Sequence, residues 1–252
     1  MVMSGNHDYV NRHYRLQHTG RDLSYFNIRV KESDLAIGVE HNALTDSLVS
    51  LCRRELTRLR SELEYYIEMQ PVFKTSFVPV ELLAGAPEIA RLMAGAALLA
   101  EVGPMAAVAG AFAQKIGEFL APYSAEVIVE NGGDIYLCSH QPRLVAVLAG
   151  ASSFSDRIAL KVNSAGKPLG ICTSSGTVGP SISLGTADAV MIRASSAALA
   201  DAVASRSGNQ VQSENDLMKA IEAAQNIPGV EGILVIKGDR MAAWGEIELV
   251  PI

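Results

Sequence analysis

The stretch that decides the fold runs from Ala125 to Ser139: AEVIVE (125–130), then Asn131-Gly132-Gly133, then DIYLCS (134–139). Two strand-like runs are joined by residues that tolerate positive φ, which is a strong short-range sign of a β-hairpin. Glu130 and Asp134 bracket the turn, so two carboxylates sit beside glycines that let a ligand or another backbone come close. The same residues read equally well as an ordinary hairpin turn.

Downstream of this hairpin the chain continues in the same idiom. RLVAVLAG (143–150), RIALKV (157–162), LGICTS (169–174), DAVMIRA (188–194), EGILVIKG (231–238) and AWGEIELV (243–250) are short apolar runs that predict strands. Helices are predicted over 196–205 and 214–225, the second with Ser213 as its N-cap. Upstream, residues 24–40 alternate apolar and polar and predict two strands around a turn near Ser33. The period then changes: Leu44, Leu48, Leu51, Leu56, Leu59, Leu63 and Tyr66 form one helical stripe. Pro71, Pro79 and Pro87 bracket a loop, and helices follow over 87–101 and 105–120 with Gly103-Pro104 between them. Helices cluster in the first half and strands in the second, which predicts an α+β fold with an antiparallel sheet packed against helices. No low-complexity linker divides the chain, so residues 1–252 form one domain.

Composition narrows the function. The 252 residues are 49% hydrophobic and 19% charged, a globular balance. A net charge of −6 speaks against a nucleic-acid partner held by a basic surface. The apolar region from Ile89 to Leu120 is interrupted by Arg91, Glu101 and Lys115, whereas a membrane span needs ~20 predominantly apolar residues. It reads as a buried core helix pair, and no membrane association is expected. Cys52, Cys138 and Cys172 show neither pairing nor zinc-type spacing, and read as small core residues in a reducing, cytoplasmic setting. Four of the five histidines lie within the first 41 residues and read as solvated positions. Composition leaves a homo-oligomer open.

No phosphate loop, HExxH, nucleophile elbow or dinucleotide fingerprint is present. Four segments carry candidate chemistry: the ENGGD turn (130–134), the hydroxyl-rich CTSSGT strand end (172–177), the Ala-rich helix SSAALADAVAS (195–205), and the helix start at GPMAAVAGAFAQ (103–114). On the Ala-rich helix, Asp201 and Ser205 are four apart and share a face. A carboxylate and a hydroxyl buried there need partners, and Mg²⁺ would satisfy both oxygens, as would hydrogen bonds to a neighbouring loop. The helix start near Pro104 offers free N–H groups to an anion, although tight packing alone explains its Ala and Gly.

Taken in order, GAFA (110–113), GGDI (132–135), TSSG (173–176) and LADAVAS (199–205) resemble the ApbE-type flavin transferases, whose fold is related to the T-fold. The strings VGPMAAVAGA, VENGGDI and TSSGTVG are similar to those of an uncharacterised prokaryotic family within that superfamily. The resemblance covers the second half of the chain and the helix before it. It implies binding of FAD with Mg²⁺ and transfer of FMN to a protein Thr or Ser. It further implies metal ligands at the Ala111 carbonyl, Asp201 and Ser205, with Gly132, Gly133, Asp134, Thr173 and Ser174 lining the flavin or phosphate side. It assigns no catalytic residue. The family carries His-Ile and then Asp-Pro after Thr-Ser-Gly, whereas VGPSISLG (178–185) here has no histidine. The alternative expectation is therefore a non-catalytic ligand-binding or assembly protein that kept the fold.

Overall fold

The computed structural model describes residues 22–175 and 185–252. Strands β1 (Leu23–Val30) and β2 (Ser33–Glu40) open the chain as an antiparallel hairpin that turns on Lys31-Glu32, so Ser33 begins the second strand. Helix α1 (Asp46–Met69) follows, its N-cap Thr45 accepting the Leu48 N–H. It buries Leu48, Cys52, Leu56, Leu59, Leu63 and Tyr66, the apolar stripe expected from the sequence. The Pro-bracketed loop holds one short helix, α2 (Val72–Thr75).

Helix α3 (Glu88–Ala100) ends where Glu101 adopts a left-handed φ of 52°. Gly103 then passes so near the Ser76 carbonyl that a Cβ would lie 1.8 Å from that oxygen. A 3₁₀ turn (Pro104–Ala107) leads into α4 (Val108–Leu120). The decisive hairpin is β3 (Val127–Asn131) and β4 (Asp134–Cys138), with φ of 73° at Gly132 and 107° at Gly133. Positive φ at both central residues is the reason two glycines stand there.

Strands β5 (Arg143–Ala146), β6 (Ile158–Val162), β7 (Leu169–Ser174) and β8 (Ala189–Ala194) follow. Helix α5 (Ala197–Asn209) runs one turn beyond its predicted end. Arg206 holds that extra turn by donating to the Ala100 carbonyl and pairing with Glu101. After a 3₁₀ turn (Glu214–Asp216) with a Ser213–Asp216 capping box comes α6 (Leu217–Ala224). Strand β9 (Val230–Lys237) is followed by β10 (Arg240–Gly245) and β11 (Glu248–Pro251). The sequence predicts a single strand over 243–250. Instead Gly245, at φ 77°, turns the chain out of one sheet and into another.

One eight-stranded sheet has the order β1-β2-β3-β4-β7-β8-β9-β10, antiparallel throughout. A three-stranded sheet, β11-β6-β5, covers part of one of its faces. The period-two alternation of strands divides the core in two. Val190, Ile192, Ile233 and Val235 point toward the helices. Ala189, Met191, Leu234 and Ile236 point toward the small sheet and meet Val145, Leu160 and Val162. The fold is therefore α+β, with helices on one face of the large sheet and a second sheet on the other. No single helix among the described residues is long and apolar enough to cross a membrane.

Candidate functional site

The helix-facing side of the sheet brings the chemistry together. Helices α4 and α5 pack so closely that a Cβ on Gly110 would meet the Ala197 carbonyl oxygen at 2.2 Å and the Asp201 Cβ at 2.8 Å. That contact lets Asp201 reach the first turn of α4, where its Oδ2 accepts the Gly110 N–H at 2.9 Å and the carboxylate also accepts from Ala109. The helix start that the sequence marks as an anion site thus already holds an anion, the chain's own carboxylate. Asn131 ties the glycine turn to the same place by donating from Nδ2 to the Ala109 carbonyl at 3.1 Å.

Asp134 opens β4 directly after that turn and pairs across the ladder with Cys172 of β7, on the helix side. Its carboxylate and the Cys172 thiol are hydrogen-bonded, and the thiol also contacts the Ala197 carbonyl at 3.3 Å. Asp134 is buried, at 9% exposure. Burial, and next the neighbouring Asp201 charge, hold its carboxyl well above the usual carboxylate range. Burial pushes the Asp201 carboxyl up to about 7 despite the α4 amides that favour its anion. Burial and the two carboxylates likewise raise the Cys172 thiol. No Lys, Arg or His among the described residues contributes to either carboxylate. A buried like-charge pair without a counter-cation keeps a proton or takes a cation.

The remaining expected residues fall around this pair. Gly132 and Gly133 form the hairpin tip, where the Gly133 N–H is bound to Glu130 Oε1 at 2.9 Å. Among the described residues, a Cβ on Gly133 would meet nothing nearer than the Thr173 carbonyl oxygen at 3.8 Å. Ser174 pairs with Val190 and lies on the helix side; it also faces Gly208 of α5. Thr173 pairs with Met191 and its side chain lies on the small-sheet side. Neighbouring strand residues point to opposite faces, so these two hydroxyls do not share one site. Ser205, half-buried and one turn beyond Asp201, has no hydrogen-bonded hydroxyl among the described residues. Ala111 is buried inside α4, and its carbonyl is directed along the helix toward the Lys115 amide. Residues 176–184, which include the end of the CTSSGT segment and most of VGPSISLG, lie outside the described residues.

Two residues of the cluster escape the sequence reading. Cys172 reads as a core thiol, and only the cross-strand register with Asp134 reveals it as a neighbour of both carboxylates. Asn131 reads as a turn former, yet it also fastens the turn to α4. A cavity of about 600 Å³ beside Phe154, Met218 and Met241 lies away from this pair.

A hard divalent cation fits the donor chemistry of the pair. The two carboxylates offer oxygen ligands and no described basic side chain compensates them, while no group of three or more His, Cys, Asp or Glu placed to hold a metal occurs among the described residues. The Ala111 carbonyl lies within α4 and keeps a second lone pair beyond its helical hydrogen bond.

The fold has an ApbE-like architecture. The flavin transferase ApbE from Vibrio cholerae superposes with a TM-score of 0.54 at 12% identity, covering 89% of this chain and 97% of that one. The apo flavinyl transferase ApbE from Pseudomonas stutzeri gives a TM-score of 0.58 at 13% identity, covering 88% and 94%. In sequence, a family model described as AbpE bacteria matches residues 15–237, and the chain belongs to that family. A UPF0280 protein of Methanococcus maripaludis (strain C7) is 41% identical over 225 residues, 87% of this chain and 90% of the relative. A UPF0280 protein of Methanothrix thermoacetophila is 39% identical over 201 residues, 79% and 84% of the two chains.

Proposed function

We infer that the chain binds a flavin nucleotide of the FAD type together with Mg²⁺ and transfers the FMN portion to an acceptor hydroxyl. The observation that carries this reading is the pair of buried Asp134 and half-buried Asp201 with no counter-cation among the described residues. The fold shared with proteins named flavin transferases supports it. Asp201 and Ser205 would hold the cation, with Asp134 completing the negative field around it. When bound, the cation supplies Lewis-acid neutralisation of phosphoryl oxygens. The side-chain-free tip at Gly132 and Gly133 admits the pyrophosphate, and the Ser174 hydroxyl approaches from the same sheet face. In the transfer, the pyrophosphate P–O bond breaks, a P–O bond to the acceptor forms, AMP leaves and the acceptor hydroxyl loses its proton. The unpaired Cys52, Cys138 and Cys172 favour a cytoplasmic setting for this activity.

A thermal-shift titration with FAD, FMN, ADP and ATP, each with and without Mg²⁺, tests the reading. A ligand at ~100 times its Kd adds about 2.7 kcal/mol to the native state. FAD is expected to shift the transition only when Mg²⁺ is present, and no shift with any of the four would sink the flavin reading. The missing histidine in 178–185 favours a second reading, a binding or assembly protein without transfer. A Mg²⁺-dependent FAD shift without FMN transfer to a Thr-containing peptide would select it.

A further inference from the structure

Large exposed apolar side chains are unevenly spread over the described surface. Eight of the fourteen fall between residues 65 and 99, on α1, α2, α3 and the loop that joins them. Tyr65 and Met69, at the end of α1, line a concavity of about 140 Å³ with Leu83. Val72 opens α2 three residues later. Phe77 and Val78 follow, and a Cβ on Gly103 would lie 3.1 Å from the Phe77 Cα, which places this segment against the end of α3. The outward face of α3 there carries exposed Leu98 and Leu99. Scattered apolar residues on a surface need no explanation, whereas a contiguous patch marks an interface.

A glycine on the same face points to what covers it. Gly110 and Gly117 lie where a Cβ would strike Ala197 and Tyr136, so packing within the chain accounts for both. Gly95 sits exposed in the middle of α3 with nothing within 4 Å of the place a Cβ would occupy. Glycine weakens a helix interior relative to alanine, and nothing among the described residues requires it at this position.

We propose that this surface is the two-fold interface of a homodimer, in which α3 of one copy crosses α3 of a second copy at Gly95. The exposed portions, from 44% of Leu83 to 69% of Phe77, amount to on the order of 800 Å², the share each partner gives to an interface of standard size. Between Pro71 and Pro87 only Lys74 and Glu81 are charged, as suits an interface core depleted in charge and enriched in aromatic residues and Met. A surface that meets itself closes with two copies, so one patch suffices. The dimer is independent of the flavin reading, because none of these side chains belongs to the Asp134–Asp201 site.

Sedimentation equilibrium on the full chain tests the proposal. The wild type is expected at twice 26.8 kDa. Phe77→Glu combined with Leu98→Glu is expected to give a 26.8 kDa monomer with an unchanged circular-dichroism spectrum, since both side chains are exposed. Gly95→Leu, which fits the isolated helix, is expected to weaken dimerisation at least tenfold without lowering the monomer's melting temperature. A wild-type monomer at the highest soluble concentration overturns the proposal, whether or not that monomer binds lipid vesicles. So does a dimer that survives all three substitutions.

Discussion

The carboxylates around Arg143 and the Asp134–Asp201 pair are solved in opposite ways. At the first, Glu126 meets the buried Arg143, whose guanidinium also forks onto Asp22 at 2.9 and 2.7 Å and takes Ser139 Oγ at 2.9 Å. Burial works against the Glu126 carboxylate, but hydrogen bonds from Ser139, the His140 amide and Arg143 outweigh it and hold its carboxyl below the usual range. The hydrogen bond from Arg143 likewise lowers Asp22. At the second, Asp134 and Asp201 have backbone amides and a thiol but no cation among the described residues, and both carboxyls rise. A cluster that carries its own counter-charge is a finished structural joint. One that lacks it is completed from outside, by a proton or a cation.

The comparison breaks most visibly at Arg143. Arg143→Ala leaves half-buried Glu126 without its cation and is expected to cost about 2–3 kcal/mol in urea unfolding. A loss below about 1 kcal/mol would show the joint to be dispensable.

At the other cluster the sign reverses. Asp201→Asn keeps an oxygen for the Gly110 N–H and removes the uncompensated charge, so in EDTA at pH 8 it is expected to stabilise the protein by about 1–3 kcal/mol. The pH slopes also oppose one another. Carboxyls held low, as at Glu126 and Asp22, give stability that is lost as pH falls through their folded values. Carboxyls held high bind more protons folded than unfolded, so the cation-free protein loses stability as pH rises from the ordinary carboxylate range to about 7. A melting-temperature series in EDTA from pH 5 to 8 should fall for the wild type and flatten for Asp201→Asn. Equal slopes would mean that Asp201 ionises without cost.

The fold was legible wherever local chemistry decided it. Asn131-Gly132-Gly133 announced its hairpin because positive φ at both turn positions needs such residues, and the leucine stripe of α1 announced its buried face. The split of residues 243–250 between two sheets was hidden, because Gly245 reads as a strand residue until its neighbours are known. Likewise, Asp201 was visible as a costly carboxylate on an Ala-rich helix. Its partners Gly110 and Cys172 lie 91 and 29 positions away in the chain, and only sheet register and helix crossing bring them together. Thr173 and Ser174 looked equivalent in sequence, and the pleat separates them.

That separation yields the smallest effect. Ser174→Ala is expected to weaken nucleotide binding by about tenfold, or ~1.4 kcal/mol, with Thr173→Val near neutral. Equal losses in the two variants would return both hydroxyls to one site.

The most direct test of the account is calorimetric titration of FAD into the wild type and Asp201→Asn at pH 8, each in Mg²⁺ and in EDTA. The account predicts binding heat for the wild type in Mg²⁺, little in EDTA, and little for Asp201→Asn in either. Binding of FAD with equal affinity in all four conditions would contradict it, because the Asp134–Asp201 pair would then have no part in holding the ligand.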